Sequence, residues 1–341
     1  MHPAVHRFAQ SGLLGAVAML AILWLTPACA SQTAYRQLPT VQAAEPIITP
    51  PLPAISATPS PSVTPAPAST RTPEPTAVPT ELPSPTPTLG CDQPGQVVTG
   101  RFPSALAWPD LAYRIYLPPC YGQDGHVYPV LYMLPGNVHD DSIWDQLGLD
   151  EAAEAGIQNE LIPPLLIVMP EGGQIDSQTS GGPYSFEGVI LSELVPFVES
   201  NYCAWSDSAG RAIGGLSRGG YWALEIAFRN PAAFASAGGH GAALVDSYAG
   251  PAIDPIYTAS SADLSGLRIY LDAGSSDWYL PHLQVLHNNL LAAGRDHVWR
   301  IQDGGHDNAY WAAHVADYLE WYSEPWSADR DEYPPCLAGN G

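Results

Sequence analysis

Ser217 is the residue of the 341-residue chain whose surroundings point most directly to chemistry. It lies in Gly215-Leu216-Ser217-Arg218-Gly219-Gly220, after the short apolar run Arg211 to Gly214 and before the helix-like stretch Tyr221 to Arg229, which Asn230-Pro231 stops. A serine on a tight strand-to-helix turn presents its hydroxyl outward, and glycines two residues either side let neighbouring backbone pass without Cβ clashes. The bare G-x-S-x-G pattern often occurs without chemistry. The flanking strand and helix are what identify Ser217 as a candidate nucleophile.

A serine hydroxyl is weak until a base takes its proton and a carboxylate holds that base. The expected base is His306, in Gln302-Asp303-Gly304-Gly305-His306-Asp307, a glycine-loosened loop directly past the apolar run Val298 to Ile301. His282, His287 and His314 fall within helical spacing and His297 precedes its strand, positions that suit packing or surface roles. His240, in Gly238-Gly239-His240-Gly241, is the strongest rival and is expected to line the pocket.

Two carboxylates compete for the acid in Asp272-Ala273-Gly274-Ser275-Ser276-Asp277-Trp278. Asp277 stands out on the turn, where it can reach the histidine loop and fix the imidazole tautomer, so it is the expected acid. Asp272, at the strand end, is expected to cap the turn. Trp278 is a candidate pocket residue. An oxyanion needs two preorganised donors, expected from the backbone N–H of Arg218 and of Asn137 in Pro135-Gly136-Asn137-Val138. The Gly-, Ser- and Gln-rich segment Gly172 to Ser185 is expected to edge the pocket.

These residues need a scaffold, and the sequence supplies one. Short apolar runs at Tyr113 to Leu117, Pro129 to Leu134, Leu165 to Met169, Arg211 to Gly214, Phe234 to Ala237, Arg268 to Leu271 and Val298 to Ile301 read as buried strands. Between them, Asp145 to Ala155, Ser185 to Tyr202 and Leu280 to Ala293 carry apolar residues at helical spacing. Strands alternating with helices imply a mainly parallel central sheet with helices on both faces. No helix separates Gln96 to Phe102 from Tyr113 to Leu117, so the sheet is expected to start antiparallel, as α/β-hydrolase folds do. In open sheets of this kind ligands bind beyond the carboxyl ends of the strands, where Ser217, Asp277 and His306 follow in that order.

The composition narrows the function further. Acidic residues number 34 against 12 basic ones, for a formal charge of -22, and every basic residue is arginine. Without lysine, P-loop phosphate chemistry and Schiff-base catalysis are excluded. An anionic surface also repels phosphate backbones, so nucleic acid is not an expected partner. The expected chemistry requires no cofactor and no metal.

The N-terminal residues 1–30 have the layout of an export signal: Arg7 early, an apolar run from Leu13 to Leu25, then Thr26-Pro27-Ala28-Cys29-Ala30. The run is shorter than the roughly 20 residues of a spanning helix. Cleavage before Cys29 would leave a lipidated cysteine, and cleavage after Ala30 would release the chain. The former is favoured because residues 31–90, dominated by Pro, Thr, Ser and Ala, read as an extended disordered tether. An exported, membrane-anchored hydrolase domain over residues 91–341 is the expected organisation, touching the membrane only through its N-terminal anchor. Its four cysteines, Cys91, Cys120, Cys203 and Cys336, imply two disulfides. Of three connectivities, Cys91 with Cys120 and Cys203 with Cys336 is expected.

From about Arg101 to Trp326 the chain resembles the esterase D family, which includes S-formylglutathione hydrolases, feruloyl esterase domains, enterochelin esterases and mycobacterial mycolyltransferases. The resemblance rests on Tyr128-Pro129-Val130-Leu131-Tyr132-Met133-Leu134, Leu166-Ile167-Val168-Met169-Pro170, Glu193-Leu194-Val195-Pro196-Phe197 and Gly214 to Gly220. It implies a serine carboxylic-ester hydrolase acting on a small-molecule or carbohydrate-linked ester, with the acid at Asp277 and the base at His306. Where such proteins carry His-Gly before the oxyanion loop, this chain has Pro135-Gly136. Acyl transfer of the mycolyltransferase type would use the same triad. A non-catalytic surface binding module that keeps the fold is the alternative from another class.

Overall fold

Runs of consecutive apolar residues with no polar alternation demand burial on both faces of a sheet, and the centre of the molecule is built from them. A computed structural model describes residues 91–178, 181–245 and 249–337. The expected signal (1–30), with Cys29, and the expected linker (31–90) lie outside the described residues. Among the described residues, no helix is long and apolar enough to cross a membrane.

Eight strands form one sheet: β1 (Gln96–Phe102), β2 (Leu111–Leu117), β3 (Val130–Leu134), β4 (Leu166–Pro170), β5 (Arg211–Leu216), β6 (Ser236–His240), β7 (Arg268–Gly274) and β8 (Val298–Gln302). Their order across the sheet is β1-β2-β4-β3-β5-β6-β7-β8. β1 and β2 are antiparallel to their neighbours, and the other pairs are parallel. This is an α/β-hydrolase sheet. All five residues of β3 and of β4 are buried, whereas the edge strands β1 and β8 are partly exposed.

Because successive side chains point to opposite faces, β3 feeds two cores at once. Val130, Tyr132 and Leu134 join the core under α5 (Arg218–Arg229) and α7 (Leu280–Ala292). Leu131 and Met133 join the core under α1 (Ile143–Gln146), α2 (Leu149–Gln158) and α8 (Asn308–Ser323). Disulfides bond Cys91 to Cys120 and Cys203 to Cys336. The second ties the chain beyond α8 back to the segment before β5.

The structure corrects several boundaries for physical reasons. The expected helix Asp145 to Ala155 is two helices, broken at Gly148, whose φ of 84° lies in the left-handed region that glycine tolerates. The helix expected over Ser185 to Tyr202 comprises α3 (Phe186–Gly188), a widened π turn (Val189–Leu194) and α4 (Val195–Asn201). The widened turn accommodates Pro196, which has no N–H to donate back along an α-helix. A further short helix, α6 (Pro255–Thr258), precedes β7.

Strand β6 runs on through Gly238-Gly239 to His240, although the glycines read as a loop. The reason lies in α8: a Cβ at Gly214 or Gly238 would land on the Tyr322 hydroxyl, which fills the space over β5 and β6. Strand β7 likewise continues past Leu271 to Gly274, so Asp272 is a buried strand residue and not a turn cap.

One largely buried ionic cluster joins α3 to the elbow helix α5. Arg229 Nε lies 3.0 Å from both Glu187 Oε2 and Glu225 Oε1, and Glu225 is fully buried. Asn230 Nδ2 donates to Glu187 Oε1 at 2.8 Å, and the Gly182 N–H donates to Glu187 Oε2. Burial, and then the Glu187 carboxylate, push Glu225 up to about 9, so it holds a proton at neutral pH while Glu187 faces the arginine. An unfolded glutamate would lose that proton near its ordinary value of 4.5. Native protein therefore binds the extra proton between those values, and the associated stability is complete below the lower one and lost as pH rises through the upper. We expect the urea-unfolding free energy to decline from about pH 5 to about pH 9, and Glu225→Gln to flatten that decline. Parallel pH curves for the two proteins would contradict the assignment.

Candidate active site

β5 must turn into α5 within a single residue, and that residue is Ser217. Its backbone sits at φ 53°, ψ -118°, a left-handed conformation that a side-chain-bearing residue adopts only when its surroundings enforce it. Three main-chain bonds do so: the Ser217 N–H donates to His240 O at 2.9 Å, and Ser217 O accepts from Ala243 N (2.9 Å) and Tyr221 N (3.1 Å). The glycines of the motif act by close approach. A Cβ at Gly215 would collide with the Gly219 backbone, and one at Gly219 with the carbonyls of Leu134 and Pro135.

The turn brings the Ser217 hydroxyl to the histidine loop. Ser217 Oγ is 2.8 Å from His306 Nε2, and His306 Nδ1 is 2.8 Å from Asp277 Oδ2. Asp277 follows β7 in a tight turn. Its Oδ1 accepts the Tyr279 N–H at 2.7 Å, which leaves Oδ2 for the imidazole. Both side chains are nearly sealed from water, at 7% exposure for His306 and 1% for Asp277. The imidazole is packed by Trp278, Tyr279 and Trp311, with ring centroids 4.6, 4.9 and 5.0 Å away. Trp278 is itself 65% exposed, so it flanks the base at the surface. Such an arrangement can pass a proton from hydroxyl to imidazole while the carboxylate steadies the resulting cation.

Arg218 begins α5, and its backbone N–H lies at the positive end of the helix dipole. Its guanidinium turns away: Nε donates to Asp176 O at 2.6 Å, and Trp222 Nε1 donates to the same carbonyl at 2.9 Å. These two bonds fasten the loop containing residues 172–178 to the elbow helix. Asn137 is exposed in the loop after β3. That loop is fixed at its base by Trp144 Nε1 donating to Leu134 O at 2.9 Å, and it abuts α5 at Gly219.

Beyond this loop opens a cleft of about 640 Å³, lined by Trp108, Leu111, His139, Gln174, Ile175 and Tyr184 among others. Gly173, Gln174, Ile175, Gln178 and Tyr184, from the segment expected to edge the pocket, line this cleft. His139, which the sequence analysis does not single out, stands where the loop after β3 meets the cleft, with burial lowering its pKa from the ordinary imidazole value. Among the described residues, no group of three or more His, Cys, Asp or Glu side chains is placed to hold a metal ion.

His240 does not line the pocket. It is fully buried, with Nδ1 2.8 Å from Asp272 Oδ1 and Nε2 3.1 Å from Tyr322 OH. Its neighbour Gly241 was also missed. At φ 56°, this glycine lies under the Asp277–His306 pair, where a Cβ would come 2.8 Å from Asp277 Oδ2 and 3.3 Å from His306 Nδ1. In the sequence it is simply the last glycine of Gly238-Gly239-His240-Gly241.

Comparison with known proteins bears on the family and the fold. The family model described as "Putative esterase" matches residues 109–322, a span that holds Ser217, Asp277 and His306. An esterase of Mycobacterium tuberculosis is 33% identical over 144 residues, 40% of this chain and 30% of that protein. The iron(III) salmochelin esterase of Escherichia coli O6:H1 is 29% identical over 194 residues, 52% of this chain and 47% of that protein. The chain therefore spans less than half the length of these two relatives. A solved ferulic acid esterase superposes with a TM-score of 0.62 at 23% identity, covering 68% of this chain and all of that one, a likeness of fold.

Gly241→Ala is expected to leave the protein folded and to slow labelling of Ser217 by a fluorophosphonate about tenfold to a hundredfold. A misplacement of even 1 Å at a reacting group can cost that much. Labelling at the wild-type rate, followed by mass spectrometry, would show that the floor of the Asp277–His306 pair is not needed.

Proposed function

Since the chain belongs to the "Putative esterase" family, we propose that it is a serine carboxylic-ester hydrolase that works through an acyl-enzyme on Ser217. The observation that carries this reading is the continuous relay Ser217 Oγ to His306 Nε2 to Asp277, with both links at 2.8 Å, at the end of a strained elbow. His306 takes the Ser217 proton as the oxygen attacks the ester carbonyl. Asp277 fixes the tautomer with Nε2 facing serine and stabilises the imidazolium. The N–H groups of Arg218 and Asn137 receive the oxyanion. His306 then protonates the leaving alcohol, activates water on the acyl-enzyme and returns the proton to Ser217.

The cleft beside the oxyanion loop receives the rest of the ester, a small-molecule or carbohydrate-linked one. Its aromatic flanks Trp108 and Tyr184 are 91% and 87% exposed, and so are available to a ligand. Export and anchoring at a bacterial cell surface through Cys29 belong to the same proposal, supported by the signal-like residues 1–30 and the tether composition of residues 31–90.

The test is hydrolysis of p-nitrophenyl esters of increasing acyl length by the exported chain, with Ser217→Ala and His306→Ala alongside. Each substitution is expected to lower kcat by at least about 10³-fold, because the triad acts as a unit. Wild-type turnover in folded Ser217→Ala would refute the assignment. Absence of both turnover and fluorophosphonate labelling in the wild type would favour a binding module.

A further inference from the structure

Behind the candidate triad lies a second Asp–His pair that the proposed reaction leaves unused. Asp272 and His240 face each other across β7 and β6 in register, and His240 in turn pairs with Leu216, the residue before the nucleophile. Both side chains are fully buried. Asp272 Oδ1 is 2.8 Å from His240 Nδ1, while Oδ2 accepts from Tyr310 OH and Tyr318 OH, each at 2.8 Å. The His240 ring stacks on Tyr318 at 3.7 Å, and its Nε2 meets Tyr322 OH. Burial, and then the Asp272 carboxylate, push the Tyr310 and Tyr318 phenols up, which keeps both protonated as donors.

Apolar residues could pack this space at lower cost, since a buried carboxylate is expensive unless every lone pair is met. What sets Asp272 apart is the list of segments that converge on it. The elbow is tied in because Ser217 N donates to His240 O. Gly241, the floor under Asp277 and His306, donates its N–H to Asp272 O at 2.8 Å. The acid loop continues directly from β7 beyond Asp272. The base loop is held through Tyr310, in the first turn of α8, four residues past His306.

We propose that Asp272 is a positioning residue for the Ser217–His306–Asp277 site, a buried carboxylate that with His240, Tyr310 and Tyr318 locks elbow, acid loop and base loop into one geometry. The proposal rests on the hydrolase reading above. It assigns Asp272 no contact with substrate, so its effect falls on the rate of the chemical steps and not on binding.

Asp272→Asn keeps the shape and the capacity for hydrogen bonds but removes the charge. Tyr310→Phe and Tyr318→Phe each delete one hydroxyl. The measurements are kcat and KM on p-nitrophenyl acetate, the rate of fluorophosphonate labelling, and Tm. We expect Asp272→Asn to lower kcat and the labelling rate about tenfold or more, with KM within about twofold of wild type, and Tyr310→Phe to follow in the same direction. If Asp272→Asn does not fold, the two Phe variants decide. Wild-type kcat and labelling in the folded variants, even with a lowered Tm, would reduce the cluster to a structural role and overturn the proposal, as would a loss confined to KM. Turnover retained in Ser217→Ala is a separate result, which fails the hydrolase reading itself.

Discussion

One backbone torsion governs the functional end of this molecule: Ser217 must take a positive φ for β5 to become α5 without a connecting loop. An L-residue pays about 1–2 kcal/mol for that conformation, so neighbouring structure has to over-determine it. The parallel register of β5 and β6 places His240 O where it accepts the Ser217 amide, and Ala243 and Tyr221 hold the carbonyl. Close approach at Gly215 and Gly219 then lets the loop after β3 sit against the helix start. The positions of the Ser217 hydroxyl, the start of α5 and the loop after β3 all follow from that turn.

Asp277, Asp272 and Glu225 are buried carboxyl groups, and each meets its desolvation cost differently. Asp277 accepts from His306 and the Tyr279 amide. Asp272 gathers three side-chain partners. Glu225 keeps its proton. Asp272 and Asp277 both lie at the carboxyl end of β7, where a parallel sheet builds its sites.

The absence of lysine has a structural counterpart. With only arginines to oppose 34 acidic residues, the cations act as forked clamps between distant segments. Arg114 bridges β2 to Asp141 and Asp145, Arg330 ties the C-terminal segment to Asp124 and packs over Tyr128, and Arg229 joins α5 to Glu187. The remaining acidic excess is what makes the chain anionic.

Much of this protein was legible in its residues. The apolar runs located the inner strands to within a few positions because burial on both faces leaves no polar alternation, and the G-x-S-x-G motif between strand and helix located the elbow. Asp277 and His306, the expected acid and base, stand in loops past strand ends, and the structure brings both into hydrogen-bonding line with Ser217. What sequence could not give was the destination of Asp272 and His240. His240 stands between glycines and Asp272 two residues before one, so both read as residues at or past a strand end; yet β6 runs through His240 because Tyr322, from a helix far along the chain, fills the space at Gly214 and Gly238, and β7 runs on to Gly274, which packs against the backbone of Gly304 and Gly305. Glycine reports missing volume without saying what occupies it, and a polar side chain does not say whether its partners are water or protein. Local pattern therefore determined the elements and the order of the reactive groups. Only the packing of α8 on the sheet decided that a second Asp–His pair would be sealed beneath them.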